Sequence, residues 1–158
     1  DTYFSRWEEV WYHGDWALID EDGFWFLHGR SDDTIKIAGK RTGPAEIESA
    51  ANMHNAVQES AAIGVPHDIK GESAVVFVVL KPENEPSEEL RNEISSLIVD
   101  KLGKTLKPEN VLFVGALPKT RSAKIVRGSI KKKYLGKDPG DMSSVENPQA
   151  IEEIAKAK

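Results

Sequence analysis

Three short loops hold most of the side chains in this sequence that could act on a ligand: Gly29-Arg30-Ser31-Asp32-Asp33, Gly39-Lys40-Arg41-Thr42-Gly43 and Thr120-Arg121-Ser122-Ala123-Lys124. The first sets one guanidinium beside two carboxylates. In the second, two cations stand between glycines, residues that let backbone approach a ligand closely. The third is cationic and rich in hydroxyls, and it leads into a predicted helix whose first backbone N–H groups suit an anion. Cations, hydroxyls and free N–H groups are what a phosphorylated ligand requires. Taken singly, each loop is more simply read as a solvated turn, since short motifs recur by chance. The case for binding rests on the three together.

These loops need elements to hold them. Ala17 to Ile19 and Phe24 to Leu27 read as a hairpin closed by Asp20-Glu21-Asp22-Gly23. A short strand is predicted at Thr34–Ala38, then a basic turn between Gly39 and Gly43, then a helix from about Ala45 to His54 with Pro44 at its start. Strands follow at Ser60–Val65 and Ser73–Leu80. The second is apolar on both faces and so belongs in the centre of a sheet. Ser87 caps a helix running to Leu102 with an apolar stripe of Leu90, Ile94, Leu97 and Ile98, and Gly103 ends it. A strand at Val111–Val114, a basic helix from about Ala123 to Tyr134 and a short last helix after Asn147-Pro148 complete the pattern. The fold class expected is α+β, a small domain with a short mixed β-sheet flanked by helices, preceded by an aromatic-rich β-hairpin.

The composition narrows the function classes. There is no Cys, which removes thiol nucleophiles, Cys-based zinc sites and disulfides, and fits a reducing, cytoplasmic setting. The four His show no ligand spacing, so no protein-bound metal is expected. No apolar run is long enough to span a membrane. The net charge of −5 conceals an uneven distribution: residues 101–137 carry eleven Lys or Arg against the single acid Glu109. Such a segment faces a polyanion or forms a solvated helix face, with Lys124, Arg127 and Lys131 as its members in the second case. Nine of the twelve aromatics fall within the first 26 residues. They do not interleave with the cations, which argues against a nucleic-acid stacking platform. A hairpin this aromatic needs another layer to cover it, so residues 1–31 read as the edge of a larger domain, 32–140 as a small domain, and 141–158 as a tail with a short helix.

In order along the chain, Trp11-Tyr12-His13-Gly14-Asp15, Asp22-Gly23-Phe24-Trp25-Phe26, Gly29-Arg30-Ser31-Asp32-Asp33, Ile35-Lys36-Ile37-Ala38-Gly39-Lys40-Arg41, Gly43-Pro44-Ala45-Glu46-Ile47-Glu48 and Pro118-Lys119-Thr120-Arg121-Ser122-Ala123-Lys124 resemble the C-terminal part of an AMP-forming acyl-CoA synthetase of the adenylate-forming superfamily. Within it, the chain looks most like acetyl-CoA synthetase and related short-chain acid:CoA ligases. The resemblance implies two steps: a carboxylic acid and ATP give an acyl-adenylate and pyrophosphate, and coenzyme A then displaces AMP. It also implies a small domain that rotates between the steps against a large N-terminal domain holding the phosphate loop and acyl pocket. The chain alone is therefore expected to be inactive, and a non-catalytic binding or regulatory module of the same fold is the alternative.

By the same resemblance, Asp15 matches the carboxylate that accepts from the ribose hydroxyls, Arg30 the cation near the ribose and α-phosphate, Asp32 the hinge and Lys124 the adenylation lysine. Gly39 and Lys36 match the thioester-forming face, with Arg41 a phosphate partner and Lys101, Lys104 and Lys107 possible contacts for the coenzyme A phosphates. Mg²⁺ would arrive with ATP. Three residues depart from the pattern: His13 replaces Ser or Thr, Val99 stands where an Arg is usual, and Ala123 replaces Gly before the lysine. The last bears on whether a lysine acyltransferase and deacylase would act on Lys124, whose charge such a modification removes.

Overall fold

The computed structural model describes residue 4, residues 7–31 and residues 33–157. Strands β1 (Asp15–Ile19) and β2 (Trp25–Arg30) form a separate antiparallel hairpin. Its chain reversal is held by Asp20, whose Oδ1 accepts from the N–H groups of Asp22 and Phe24 at 3.0 and 2.9 Å. Trp11, Leu18, Phe24, Trp25 and Leu27 are all more than half exposed, so the described residues leave most of this hairpin's apolar surface uncovered.

The second sheet has five strands: β3 (Ile35–Ile37), β4 (Lys40–Thr42), β5 (Val57–His67), β6 (Gly71–Leu80) and β7 (Asn110–Phe113). β5 and β6 pair antiparallel over their whole length, β7 joins β6 in parallel at Val75–Val78, and β3 meets β6 at Ile37 and Gly71. β5 therefore forms one edge, and β4 and β7 share the other. Helices α1 (Pro44–Ala51) and α2 (Glu88–Leu102) cover one face, where Ala74, Val76 and Val78 pack with Ile47, Ile94 and Ile98. Helices α3 (Arg127–Tyr134) and α4 (Ala150–Lys156) cover the other, where Val75, Phe77 and Val79 pack with Ile130, Ile151 and Ile154. Alternate β6 residues thus enter two different cores, which is why the strand is apolar throughout. Residues 141–157 contribute Ile151 and Ile154 to this second layer, and Val145 and Ala150 are also buried.

Two expectations are corrected. Gly39 and Gly43 do not bracket a turn: residues 40–42 are strand β4, and the reversal is Ala38-Gly39, with φ of 49° and 83°. Positive φ at both central residues is the tight-hairpin geometry, for which Asn-Gly is the usual signal and Ala-Gly is not. Helix α3 starts at Arg127 rather than Ala123. Lys119 and Ile125 form an isolated antiparallel bridge, and Thr120 Oγ1 accepts from the Lys124 N–H at 3.2 Å, so residues 120–124 close a turn of their own before the helix begins.

Candidate functional site

Cross-strand register in the first hairpin puts Asp15 opposite Arg30. The Asp15 carboxylate takes His13 Nδ1 on one oxygen at 2.6 Å and lies 3.7 Å from Arg30 NH1 on the other, while Arg30 NH1 donates to the His13 carbonyl at 2.8 Å. Ser31 donates twice to the Gly14 carbonyl, from its N–H at 2.8 Å and its hydroxyl at 2.9 Å, closing residues 14 and 31 together. The structure thus brings Asp15, Arg30 and His13 into one polar cluster. The expected hinge residue Asp32 lies outside the described residues.

Across residue 32, Trp16 Nε1 donates to Thr34 Oγ1 at 2.8 Å and the Arg41 guanidinium sits 5.5 Å from the Trp16 ring centroid. A cavity of about 310 Å³ opens here, lined by Trp16, Leu18, Thr34, Arg41 and Glu46 among others. Arg41 and Lys36 are cross-strand partners on β4 and β3, both exposed. Like charges directly opposite each other destabilise a sheet, and a bound anion would relieve them. Gly39 is exposed at the tip, and beyond its two chain neighbours no atom of the described residues lies within 4 Å of where its Cβ would stand. Its own domain therefore leaves room for a side chain there, and only the positive φ resists one.

Lys124 belongs to a loop attached elsewhere on the sheet. Its loop is tied to β5 by the ion pair of Lys119 with Glu59, whereas β3 attaches at the His67–Gly71 end of the same hairpin. Eight residues separate Glu59 from His67 on β5, roughly 26 Å at 3.3 Å each. The two candidate faces are thus anchored at opposite ends of the β5–β6 hairpin. The Lys124 side chain is exposed and forms no ion pair among the described residues. Ala123, just before it, holds φ at 60°, which a residue with a Cβ resists by roughly 1–2 kcal/mol. Ala123→Gly is expected to stabilise the domain by up to about 1 kcal/mol after the added backbone entropy is deducted, read as a rise in the urea midpoint. An unchanged or lower midpoint would show that the loop carries no strain.

Of the other expected contacts, Lys104 and Lys107 line a groove of about 380 Å³ with Asn92, Ser96, Val99 and Asp100. Lys101, in the last turn of α2, is exposed and does not line it. Asp100 sets a carboxylate among the cations of that groove.

The solvated-face reading of α3 fails at two positions. Arg127 donates from Nε and NH2 to the two oxygens of Glu48, each at 2.7 Å, and Lys131 donates to Glu72 Oε1 at 2.9 Å. The bond to Glu48 raises the Arg127 pKa against the effect of burial, with the charges of Glu48 and Asp33 adding to it. Burial pushes the Glu72 carboxyl up, but the Lys36 amide and the Lys131 ammonium outweigh it and hold it below the ordinary carboxylate value. Sequence reasoning passed over both acids. One signal was available: Glu48 interrupts the buried run of Ile47, Ala50 and Ala51 on α1, and an acid at such a position requires a partner.

The AMP-binding enzyme C-terminal domain family matches residues 46–124. The chain is 46% identical over 156 residues to the 3-hydroxypropionyl-coenzyme A synthetase of Sulfurisphaera tokodaii, covering 99% of this chain and 24% of that protein. It is 48% identical over 141 residues to the acetyl-coenzyme A synthetase of Methanothrix thermoacetophila, covering 89% of this chain and 21% of the relative. Among solved structures, acetoacetyl-CoA synthetase from Streptomyces lividans superposes with a TM-score of 0.82 at 27% identity, over 99% of this chain and 24% of that one. An ATP-bound RpMatB-BxBclM chimera superposes with a TM-score of 0.71 at 38% identity, over 78% of this chain and 24% of that one. The chain spans about a quarter of the length of these relatives.

Proposed function

The chain belongs to the AMP-binding enzyme C-terminal domain family of the AMP-forming acyl-CoA synthetases, and on that premise we propose that it is the mobile small domain, with an attached edge of the large domain, of a ligase joining a short-chain carboxylic acid to coenzyme A. The observation that carries this reading is the placement of two exposed cationic turns, around Gly39 and around Lys124, at opposite ends of the β5–β6 hairpin. With their anchor points roughly 26 Å apart along one rigid strand pair, the two turns serve two steps at one site only if the domain reorients between them. Asp32 is the proposed pivot. The exposed aromatic hairpin then packs against the large domain that holds the phosphate loop and acyl pocket.

In the first step, Asp15 accepts hydrogen bonds from the ribose diol of ATP with lone pairs that His13 and Arg30 leave available, and Arg30 faces the ribose and α-phosphate. Lys124 bridges the attacking carboxylate and the α-phosphate as pyrophosphate leaves. After rotation, Gly39 presents bare backbone to the pantetheine arm, Lys36 and Arg41 meet phosphate, and coenzyme A sulfur takes the acyl group as AMP departs. Lys104, with Lys101 more loosely, faces the coenzyme A phosphates beside Val99. Mg²⁺ enters with the nucleotide and is given no ligands by this domain. Acetylation of Lys124 by a lysine acyltransferase would silence the first step by removing its charge, and a deacylase would restore it.

Relatives acting on acetate and on 3-hydroxypropionate stand at nearly equal identity, so the acid is sought by experiment, beginning with acetate. In the complete ligase, Gly39→Leu is expected to leave acid-dependent ATP–pyrophosphate exchange within about threefold and to cut thioester formation from supplied acyl-adenylate by two orders of magnitude or more, as blockage of a reacting geometry does. Retained exchange also shows that the variant is folded. Equal loss in both half-reactions would remove the two-face assignment, and exchange supported by the isolated 158 residues would remove the fragment reading.

A further inference from the structure

The thioester-forming face proposed above is carried by β3 and β4, and β3 is weakly attached. It is three residues long and meets β6 in one register pair, Ile37 with Gly71. Lys36 and Ala38 turn their N–H groups away from β4. Ala38 donates to the Lys70 carbonyl at 2.9 Å, but Lys36 donates to a side chain, Glu72 Oε2, at 2.8 Å. The other carboxylate oxygen accepts from Lys131 Nζ on α3 at 2.9 Å. The space for this arrangement depends on Gly64 of β5. A Cβ there would come within 2.8 Å of Ile35 Cγ2 and 3.1 Å of Glu72 Oε1.

We propose that Glu72 is a positioning residue for the second half-reaction: its carboxylate takes the place of a missing strand partner for β3 and holds the Lys36–Gly39 segment against the β5–β6 turn. Two charged groups face it, Lys131 from α3 and Lys36 from β3, so the carboxylate remains ionised and able to accept on both oxygens. Without it, the Lys36 N–H loses its acceptor, and what remains to tie this segment to β6 and the core includes the Ala38 hydrogen bond, the single β6 pair and the buried side chains of Ile35, Ile37 and Thr42. A turn that presents bare backbone to a substrate arm is sensitive to displacements near 1 Å. The catalytic half of this inference rests on the ligase reading, and the attachment of the hairpin does not.

The test therefore has two arms. In the 158-residue chain, Glu72→Ala is expected to speed amide hydrogen exchange at Lys36 about tenfold or more, with the Val75–Val78 amides of β6 unchanged. Glu72→Gln keeps a neutral acceptor and is expected to recover most of the protection. In the complete ligase, Glu72→Ala is expected to slow thioester formation from supplied acyl-adenylate about tenfold and acid-dependent ATP–pyrophosphate exchange less than threefold, with Glu72→Gln again recovering most of the lost rate. Unchanged exchange at Lys36 would overturn the proposal. So would equal loss in both half-reactions, which is the result of mere destabilisation. A wild-type ligase lacking acid-dependent exchange would overturn the ligase reading and the catalytic half with it, and hydrogen exchange still decides whether Glu72 holds the hairpin.

Discussion

Replacing Lys124 by Ala in the complete ligase is expected to slow acyl-adenylate formation about a thousandfold while thioester formation from supplied acyl-adenylate stays within about threefold. The magnitude follows from charge. Attack of a carboxylate on an α-phosphate brings anions together, and an ammonium about 4 Å from the developing charge at an effective dielectric near 20 contributes on the order of 4 kcal/mol before desolvation. That corresponds to roughly three powers of ten. The fold does not confound the measurement: the Lys124 side chain is exposed and forms no ion pair among the described residues, and the turn around it is closed by its backbone N–H to Thr120 Oγ1, so truncation is expected to shift stability by less than about 0.5 kcal/mol. Lys124→Arg keeps the charge but replaces a compact ammonium by a planar fork, and is expected to restore only part of the rate. The measurement is ATP–pyrophosphate exchange at saturating acid beside single-turnover thioester formation. A loss shared equally by the two, or an exchange rate within tenfold of wild type, would remove Lys124 from the first step.

What was legible beforehand follows the range of each interaction. β6 is apolar at every position from Ala74 to Val79, and its two-sided burial between α1–α2 and α3–α4 follows from that pattern alone. Helix α2 carries its start and stop signals locally: Ser87 Oγ accepts from the Leu90 N–H at 3.1 Å, and Gly103 ends the helix at a φ of 93°. The Ala38-Gly39 hairpin was not legible because Ala is a poor residue for positive φ, and the cost is met by burying Ile35 and Ile37 beside it. The start of α3 was misplaced for the same reason: Ala123 adopts the left-handed region, and the Thr120 hydroxyl competes for backbone that a helix would have used. In the candidate site, the sequence motifs pointed to Asp15, Arg30, Gly39 and Lys124, all set on turns or strand ends. They contained Glu48 without giving it a role and did not include Glu72, and the partners of these two acids lie 79 and 59 residues away and leave no periodic trace.

The Glu48–Arg127 pair supplies the largest expected effect on stability. β5 is an edge strand, and its Ala62 N–H points outward with no neighbouring strand to receive it. Glu48, 7% exposed, closes that edge: Oε1 accepts from Ala62 at 2.8 Å and from Arg127 Nε at 2.7 Å, and Oε2 accepts from Arg127 NH2 at 2.7 Å. α1 and α3 lie on opposite faces of the sheet, so this fork joins the two layers around the strand. Arg127→Ala leaves a buried carboxylate with one hydrogen bond, and breaking such a pair costs about 3–5 kcal/mol, a large share of the roughly 5–15 kcal/mol that holds a domain folded. Arg127→Lys supplies one donor direction in place of the fork and is expected to recover no more than about half. Replacing both partners, Glu48→Gln with Arg127→Met, removes the stranded charge while the Gln carbonyl still accepts from Ala62, and is expected to be more stable than Arg127→Ala alone by 1 kcal/mol or more. Urea unfolding of the 158-residue chain measures all four proteins. A cost below about 1 kcal/mol for Arg127→Ala would mean that water reaches Glu48 and that the fork does not join the layers. Because Arg127 follows Lys124 by three residues at the first turn of α3, the same variant also frees the lysine loop at its helical end. In the complete ligase, Arg127→Ala is therefore expected to depress adenylation more than thioester formation even at temperatures where it remains folded.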